Sequence, residues 1–276
     1  MVKQDKLIGK HPPPPNIFGK WLNSENHPEN DRQCHRSLSQ IDPSIEDELI
    51  EWLSEKIIAY HYKEEQIERL KRKYRQLGFT EYAENLRMIP NDDKTRKGNM
   101  AEVVLCEYIL SSTTKPLIKT FRFRYSTNID QSMKGDDMLM IDYDGEKEDI
   151  EIYLGEAKFR QTPSALAVRK IAASLAKDTK PLSFTFLVER LLESESTKDI
   201  GNRLGEYVIE SIKQQRKITY SGLLLSNISC ANTVQKNLDS DNPKLVFLSL
   251  GIDNPTVFME KVFERVEEKL ANPEEI

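Results

Sequence analysis

The chain has 276 residues, with 40 Lys and Arg against 45 Asp and Glu and a formal net charge of −5. Charged residues make up 31% and hydrophobic residues 38%, which suits a solvated surface around a sizeable core and excludes a chain that is basic all over. No apolar run approaches the roughly 20 residues that cross a bilayer, and the opening "MVKQDKLIGKHPPPP" lacks the apolar stretch of a secretory signal.

Residues 1–40 are polar and weakly patterned, with four consecutive prolines from Pro12 to Pro15, and read as a loose N-terminal arm with polyproline character. Residues 41–97 form a helical region. In "SIEDELIEWLSEKIIAYHYKEEQIERLKRKYRQLG", Ser44 caps the start, acidic residues fill the first turn and Gly78 ends the element. Ile45, Leu49, Trp52, Leu53 and Ile57 make an apolar stripe that Ile67, Leu70, Tyr74 and Leu77 continue, in one long helix or two. A shorter helix opens at Thr80 and ends before Pro90. "NDDKTRKGN" then reads as a loop before a helix in "MAEVVLCEYILSS".

The period then changes to two. Leu117 to Tyr125 alternates as a strand, and "DDMLMIDY" and "DIEIYLGEAKF" are two more, joined through the hairpin signal Asp144-Gly145. A helix follows in "TPSALAVRKIAASLAKDTK", with Thr162 as cap and Pro163 at its first position. Residues from about 182 to 215 form a helical insertion. Strands in "KITYSGLLLS" and "KLVFLSLG" and a last amphipathic helix complete an α/β core over residues 98–276.

Chemistry concentrates in "KGDDMLMIDYDGEKEDIEIYLGEAKFR". Glu156 and Lys158 are two apart and share a strand face, with the first strand of the hairpin about 5 Å away. Asp137 lies on the face of Leu139 and Ile141, at the end of an apolar row, and Asp136 points the other way. Paired carboxylates suit a hard divalent cation such as Mg²⁺. A lysine beside them can orient a water or stabilise charge developing on a phosphate. Glu102, among apolar residues early in the preceding helix, is a candidate third carboxylate, with Glu107 as the second option.

A helix with Glu102, a strand opening "GDD", a strand ending "GEAK" and a further helix resemble the PD-(D/E)xK nuclease superfamily over residues 98–180, with the strand at 217–226 as an extension. That resemblance implies a mixed sheet flanked by helices, a restriction-endonuclease-like core. It carries metal ligation to Asp137 and Glu156, the catalytic lysine to Lys158 and the helix carboxylate to Glu102. The doublet leaves Asp136 open as the ligand, since a register one residue different exchanges the two. More narrowly, size, helical N-terminal part and the "KGDD…GEAKFR" core resemble the DNA-degrading subunits of Hachiman-type anti-phage systems. This implies Mg²⁺ or Mn²⁺, DNA as substrate, a superfamily 2 helicase as partner and a cytoplasmic location. The alternative is a non-catalytic DNA-binding or regulatory subunit on the same fold.

Lys134, Arg160, Gln161 and Arg169 are candidate phosphate contacts, although Arg169 and Lys170 face different directions on their helix. The run Arg69, Lys71, Arg72, Lys73 and Arg75 is a second basic patch that could meet a DNA backbone electrostatically, although such a run on a helix is usually a solvated face. Cys34, Cys106 and Cys230 form no CxxC, and His27, Cys34 and His35 match no zinc spacing. No phosphate-binding GxxxxGK[ST] occurs, so nucleotide hydrolysis would belong to a partner.

Overall fold

The computed structural model of the protein describes residues 1–41, 43–79, 88–119, 121–126, 128–131, 135–142, 151–176, 184–193, 195, 197–199, 201–202, 204–205 and 218–271. Within them lie the strands β1 (Leu22–Asn26), β2 (His35–Gln40), β3 (Leu117–Lys119), β4 (Met138–Asp142), β5 (Glu151–Phe159), β6 (Ile218–Ser226) and β7 (Leu245–Gly251). The helices are α1 (Lys3–Ile8), α2 (Ile17–Trp21), α3 (Glu46–His61), α4 (Glu64–Gln76), α5 (Asp93–Ser112), α6 (Ala165–Ser174), α7 (Phe184–Leu192), α8 (Cys230–Asn237) and α9 (Pro255–Ala271).

The strands make one mixed sheet in the order β1-β2-β7-β6-β5-β4-β3. β2, β7, β6 and β5 run parallel; β1 pairs antiparallel with β2 on one side, and on the other β4 pairs antiparallel with β5 and β3 antiparallel with β4. β6 and β7 are buried at every position, because helices cover both faces of a parallel sheet. The α/β class read from the sequence is therefore the observed one.

Two glycines set how closely those helices approach. A Cβ on Gly155 in β5 would lie 2.7 Å from Leu105 of α5 and 2.9 Å from Cβ of Met138. On the opposite face, a Cβ on Gly222 in β6 would meet Ile171 of α6 at 2.7 Å. Asn99 to Ile109 of α5 are buried without interruption, so this helix is packed all round and carries Glu102 and Glu107 inside with it.

Several local expectations are corrected. Residues 22–40 are no loose arm: they supply β1 and β2, with β2 paired to β7. Phe18, Trp21 and Leu22 are at most 2% exposed. The buried Arg36 ties the segment down, its guanidinium donating to Asp5 at 2.7 Å, Asn26 at 2.7 Å and the Tyr108 hydroxyl at 3.2 Å. The polar composition concealed this because an exposed edge strand needs few apolar residues; only alternate positions of β1 turn inward.

The long helical pattern is two helices, since Tyr62 is extended and ends α3. Ser44 sits in a one-turn 3-10 segment before α3 and does not cap it. "NDDKTRKGN" is the start of α5, because Asp92 caps it by accepting the Thr95 N–H at 2.8 Å. Ser164, which accepts the Ala167 N–H at 3.2 Å, caps α6 in place of Thr162 and leaves Pro163 outside. β3 stops at Lys119, and Arg122–Tyr125 form a 3-10 turn. The expected helix at 80–87, the turn at Asp144-Gly145 and most of residues 198–215, the second half of the insertion at about 182–215, lie outside the described residues.

The N-terminal region as an integral part of the core is directly measurable. Trp21→Ala removes a buried indole and should cost about 3–5 kcal/mol in urea unfolding; a loss below about 1 kcal/mol would contradict that packing.

Candidate active site

β4 and β5 pair with Met138 opposite Gly155, so Asp137, one residue before β4, arrives beside Glu156. The Oδ2 of Asp137 accepts the Ala157 N–H at 2.9 Å, which fixes the carboxylate at the open end of the hairpin. The Lys158 ammonium donates to Oε1 of Glu156 at 2.5 Å. Both belong to the wall of an open cleft of about 500 Å³, which also includes Glu102, Arg122, Asp137 and Arg160. Asp136 is half-buried and not part of that wall.

The start of α5 also lines the cleft, with Asp92 just before it and Asp93, Lys94 and Lys97 within it. Lys97 pairs with Asp93 at 2.7 Å and stands 5.9 Å from the ring of Phe159. These residues escaped the sequence reading because their stretch resembled a loop.

Arg122 was also missed, and it sits at the centre of the site. Its Nε donates to Oε2 of Glu102 at 3.0 Å and its Nη2 to Oε1 at 2.7 Å, a bidentate pair at 7% and 8% residue exposure. The same Nη2 reaches Oδ1 of Asp137 at 3.1 Å. Burial, then the charge of Asp137, hold the Glu102 carboxyl well above the ordinary range, and the Arg122 fork offsets only part of that rise. The available sequence signal was indirect: a buried acidic helix position needs a cation, and Arg122 stands between Phe121 and Phe123.

The turn that carries Arg122 is held against α3. Arg124 donates to the Ala59 carbonyl at 3.0 Å, Phe123 stacks on His61 at 4.8 Å and Phe121 meets Tyr60 edge-on at 5.2 Å. Burial lowers His61 to about 4, which keeps it neutral, with its Nδ1 on the Ile57 carbonyl at 2.8 Å and its other nitrogen 3.0 Å from Asn99.

The remaining candidates scatter. Glu107 lies away from the cleft, accepting from Tyr60 at 2.8 Å and Lys119 at 2.6 Å. Gln161 lines a neighbouring groove with Thr162, Asn227 and the start of α9. Arg169 is exposed on α6 and outside the cleft wall, and Lys134 lies outside the described residues. On α4, Arg69, Arg72, Lys73 and Arg75 are exposed. His27 and His35 stack at 4.5 Å and bond to Ser37 and Ser249 at 2.9 and 2.8 Å.

Among the described residues, no group of three or more His, Cys, Asp or Glu side chains is arranged to hold a metal ion. A hard divalent cation that keeps several waters needs only one or two carboxylates, and substrate phosphate supplies further oxygens. Asp137 and Glu156 are such a pair, and the Glu156 carboxyl is raised first by burial and then by the charge of Asp137. Two carboxylates that feel one another in a cleft fit a cation placed between them.

Removing Arg122 alone leaves a buried carboxylate uncompensated, so Arg122→Met should destabilise the chain by about 3–5 kcal/mol, and Glu102→Met/Arg122→Met should recover most of that loss. Urea unfolding followed by tryptophan fluorescence measures both. A loss under about 1 kcal/mol for Arg122→Met would mean that the pair behaves as an exposed one.

The sequence model of the HamA family matches residues 15–266. The Hachiman protein HamA of Bacillus cereus is 38% identical over 275 residues, covering 98% of this chain and 97% of that protein. By both measures the chain belongs to the HamA family.

Proposed function

We propose that the protein is a metal-dependent deoxyribonuclease that hydrolyses phosphodiester bonds, the effector subunit of a Hachiman-type bacterial anti-phage system under the control of a partner superfamily 2 helicase. The observation that carries the chemical part is the juxtaposition of Asp137, Glu156 and Lys158 at one end of the β4–β5 pair, facing an open cleft. The biological part is supported by membership of the HamA family and by the likeness to the Hachiman protein of Bacillus cereus.

Asp137 and Glu156 would hold Mg²⁺ or Mn²⁺, which when bound supplies charge neutralisation at a phosphate and a more acidic water. Lys158 holds Glu156 by a charge-assisted hydrogen bond at 2.5 Å and lies where it can orient a water or meet charge developing on phosphate oxygens. Arg160, exposed at the end of β5, is suited to a DNA phosphate. No helix of the described residues is long and apolar enough to cross a membrane.

Cleavage of linear, circular and single-stranded DNA is the test, with Mg²⁺, Mn²⁺ or EDTA, and with a partner helicase added in a parallel set if a neighbouring gene encodes one. Glu156→Ala and Lys158→Ala should each lower metal-dependent cleavage by roughly a hundredfold or more while the chain stays folded. Full cleavage by the double variant would sink this site assignment. DNA binding without cutting under every condition would instead favour the non-catalytic subunit.

A further inference from the structure

The superfamily resemblance assigned three carboxylates to one site, yet the structure treats them unequally. Glu102 has both oxygens engaged by the Arg122 fork, at 3.0 and 2.7 Å. Asp137 is held from two sides, its Oδ1 by the same Arg122 at 3.1 Å and its Oδ2 by the Ala157 N–H at 2.9 Å. One hydrogen bond on each oxygen leaves each a second acceptor site. Glu156 is held separately, by Lys158 at 2.5 Å.

Arginine suits this arrangement through shape as well as charge. Its planar guanidinium presents several N–H donors in fixed directions, so a carboxylate gripped at two atoms fixes where the remaining N–H points. Glu102 sits on the well-packed α5, which makes it a firm anchor for that fork. The turn bearing Arg122 is fastened to α3 through Arg124 and Phe123. Both ends of the bridge are therefore set by packing remote from the cleft.

We propose that Arg122 is a positioning residue: anchored on Glu102, it orients Asp137, so that the cleft offers a divalent cation Asp137 and Glu156 and not Glu102. The proposal rests on the two-carboxylate reading of the metal site given above. It predicts that Arg122 governs metal affinity by acting through Asp137, without touching the cation.

The experiment is an Mn²⁺ titration of the full-length chain without DNA, with free Mn²⁺ read by electron paramagnetic resonance and folding checked by circular dichroism. Arg122→Lys keeps the charge and loses the fork; it should weaken Mn²⁺ binding about tenfold or more, the usual scale for a residue that orients a ligand. In an Asp137→Asn background the same change should have no further effect, since there is no Asp137 carboxylate left to orient. Glu102→Gln/Arg122→Met removes both charges and should bind Mn²⁺ no better than Arg122→Lys.

Wild-type affinity in Arg122→Lys would overturn the proposal. So would recovery of wild-type affinity in the double variant, because Arg122 would then serve only as a counter-ion to Glu102. Asp137→Asn and Glu156→Gln act as controls for the underlying site. If neither weakens Mn²⁺ binding, the two-carboxylate reading falls and this proposal falls with it. If both weaken it and Arg122→Lys does not, only this proposal falls.

Discussion

The energetic constraint at the centre of this molecule is the burial of Glu102. A carboxylate on a helix packed all round is tolerated only where a cation with matching geometry meets it. Arg122 meets it with two hydrogen bonds, and the same guanidinium then reaches Asp137. To arrive there, the chain leaves the sheet after Lys119, enters a 3-10 turn and anchors that turn on α3 through Arg124 and Phe123. One ion pair thus links the central helix, the helical N-terminal region and the end of the charged hairpin. α3 is in turn tied to α9, with Lys269 buried between Glu51 at 2.5 Å and Glu55 at 3.4 Å.

Close packing gives the same site its position. Gly155 lets α5 approach β5 closely enough to bring Glu102 toward the end of the hairpin, and Gly222 does the equivalent for α6 on the other face. A side chain larger than hydrogen would force Leu105 or Met138 to shift at the first position and Ile171 at the second. The glycine of "GEAK" is therefore part of how the site is assembled, one residue before the acid that the motif is named for.

Much of this was readable from the chain. Strand-like runs located β4 to β7, and the spacing of Asp137, Glu156 and Lys158 brought three charges to one strand end because strand geometry is strictly periodic. What escaped depended on tertiary contacts. Leu117 to Tyr125 alternates like a strand, yet its arginines find Glu102 and the Ala59 carbonyl off the sheet, and those partners are 20 and 65 residues away. The N-terminal strands were hidden by polar composition, since an edge strand exposes half its side chains. The start of α5 was hidden by Gly98 and a run of charges, although Asp92, three before Thr95, is a sound cap in hindsight. Asp136 and Asp137 were indistinguishable by type; the hydrogen bond from Ala157 turns Asp137 into the cleft.

In the proposed division of roles, Asp137 and Glu156 take a cation while Arg122 keeps Glu102 for itself. Anomalous diffraction from crystals soaked in MnCl₂ tests this most directly. The predicted result is an Mn²⁺ peak in direct contact with Asp137 and Glu156, with the Arg122 fork still closed on Glu102. A peak on Glu102 with Arg122 displaced, or no peak in the cleft at Mn²⁺ concentrations that saturate the protein in solution, would contradict it.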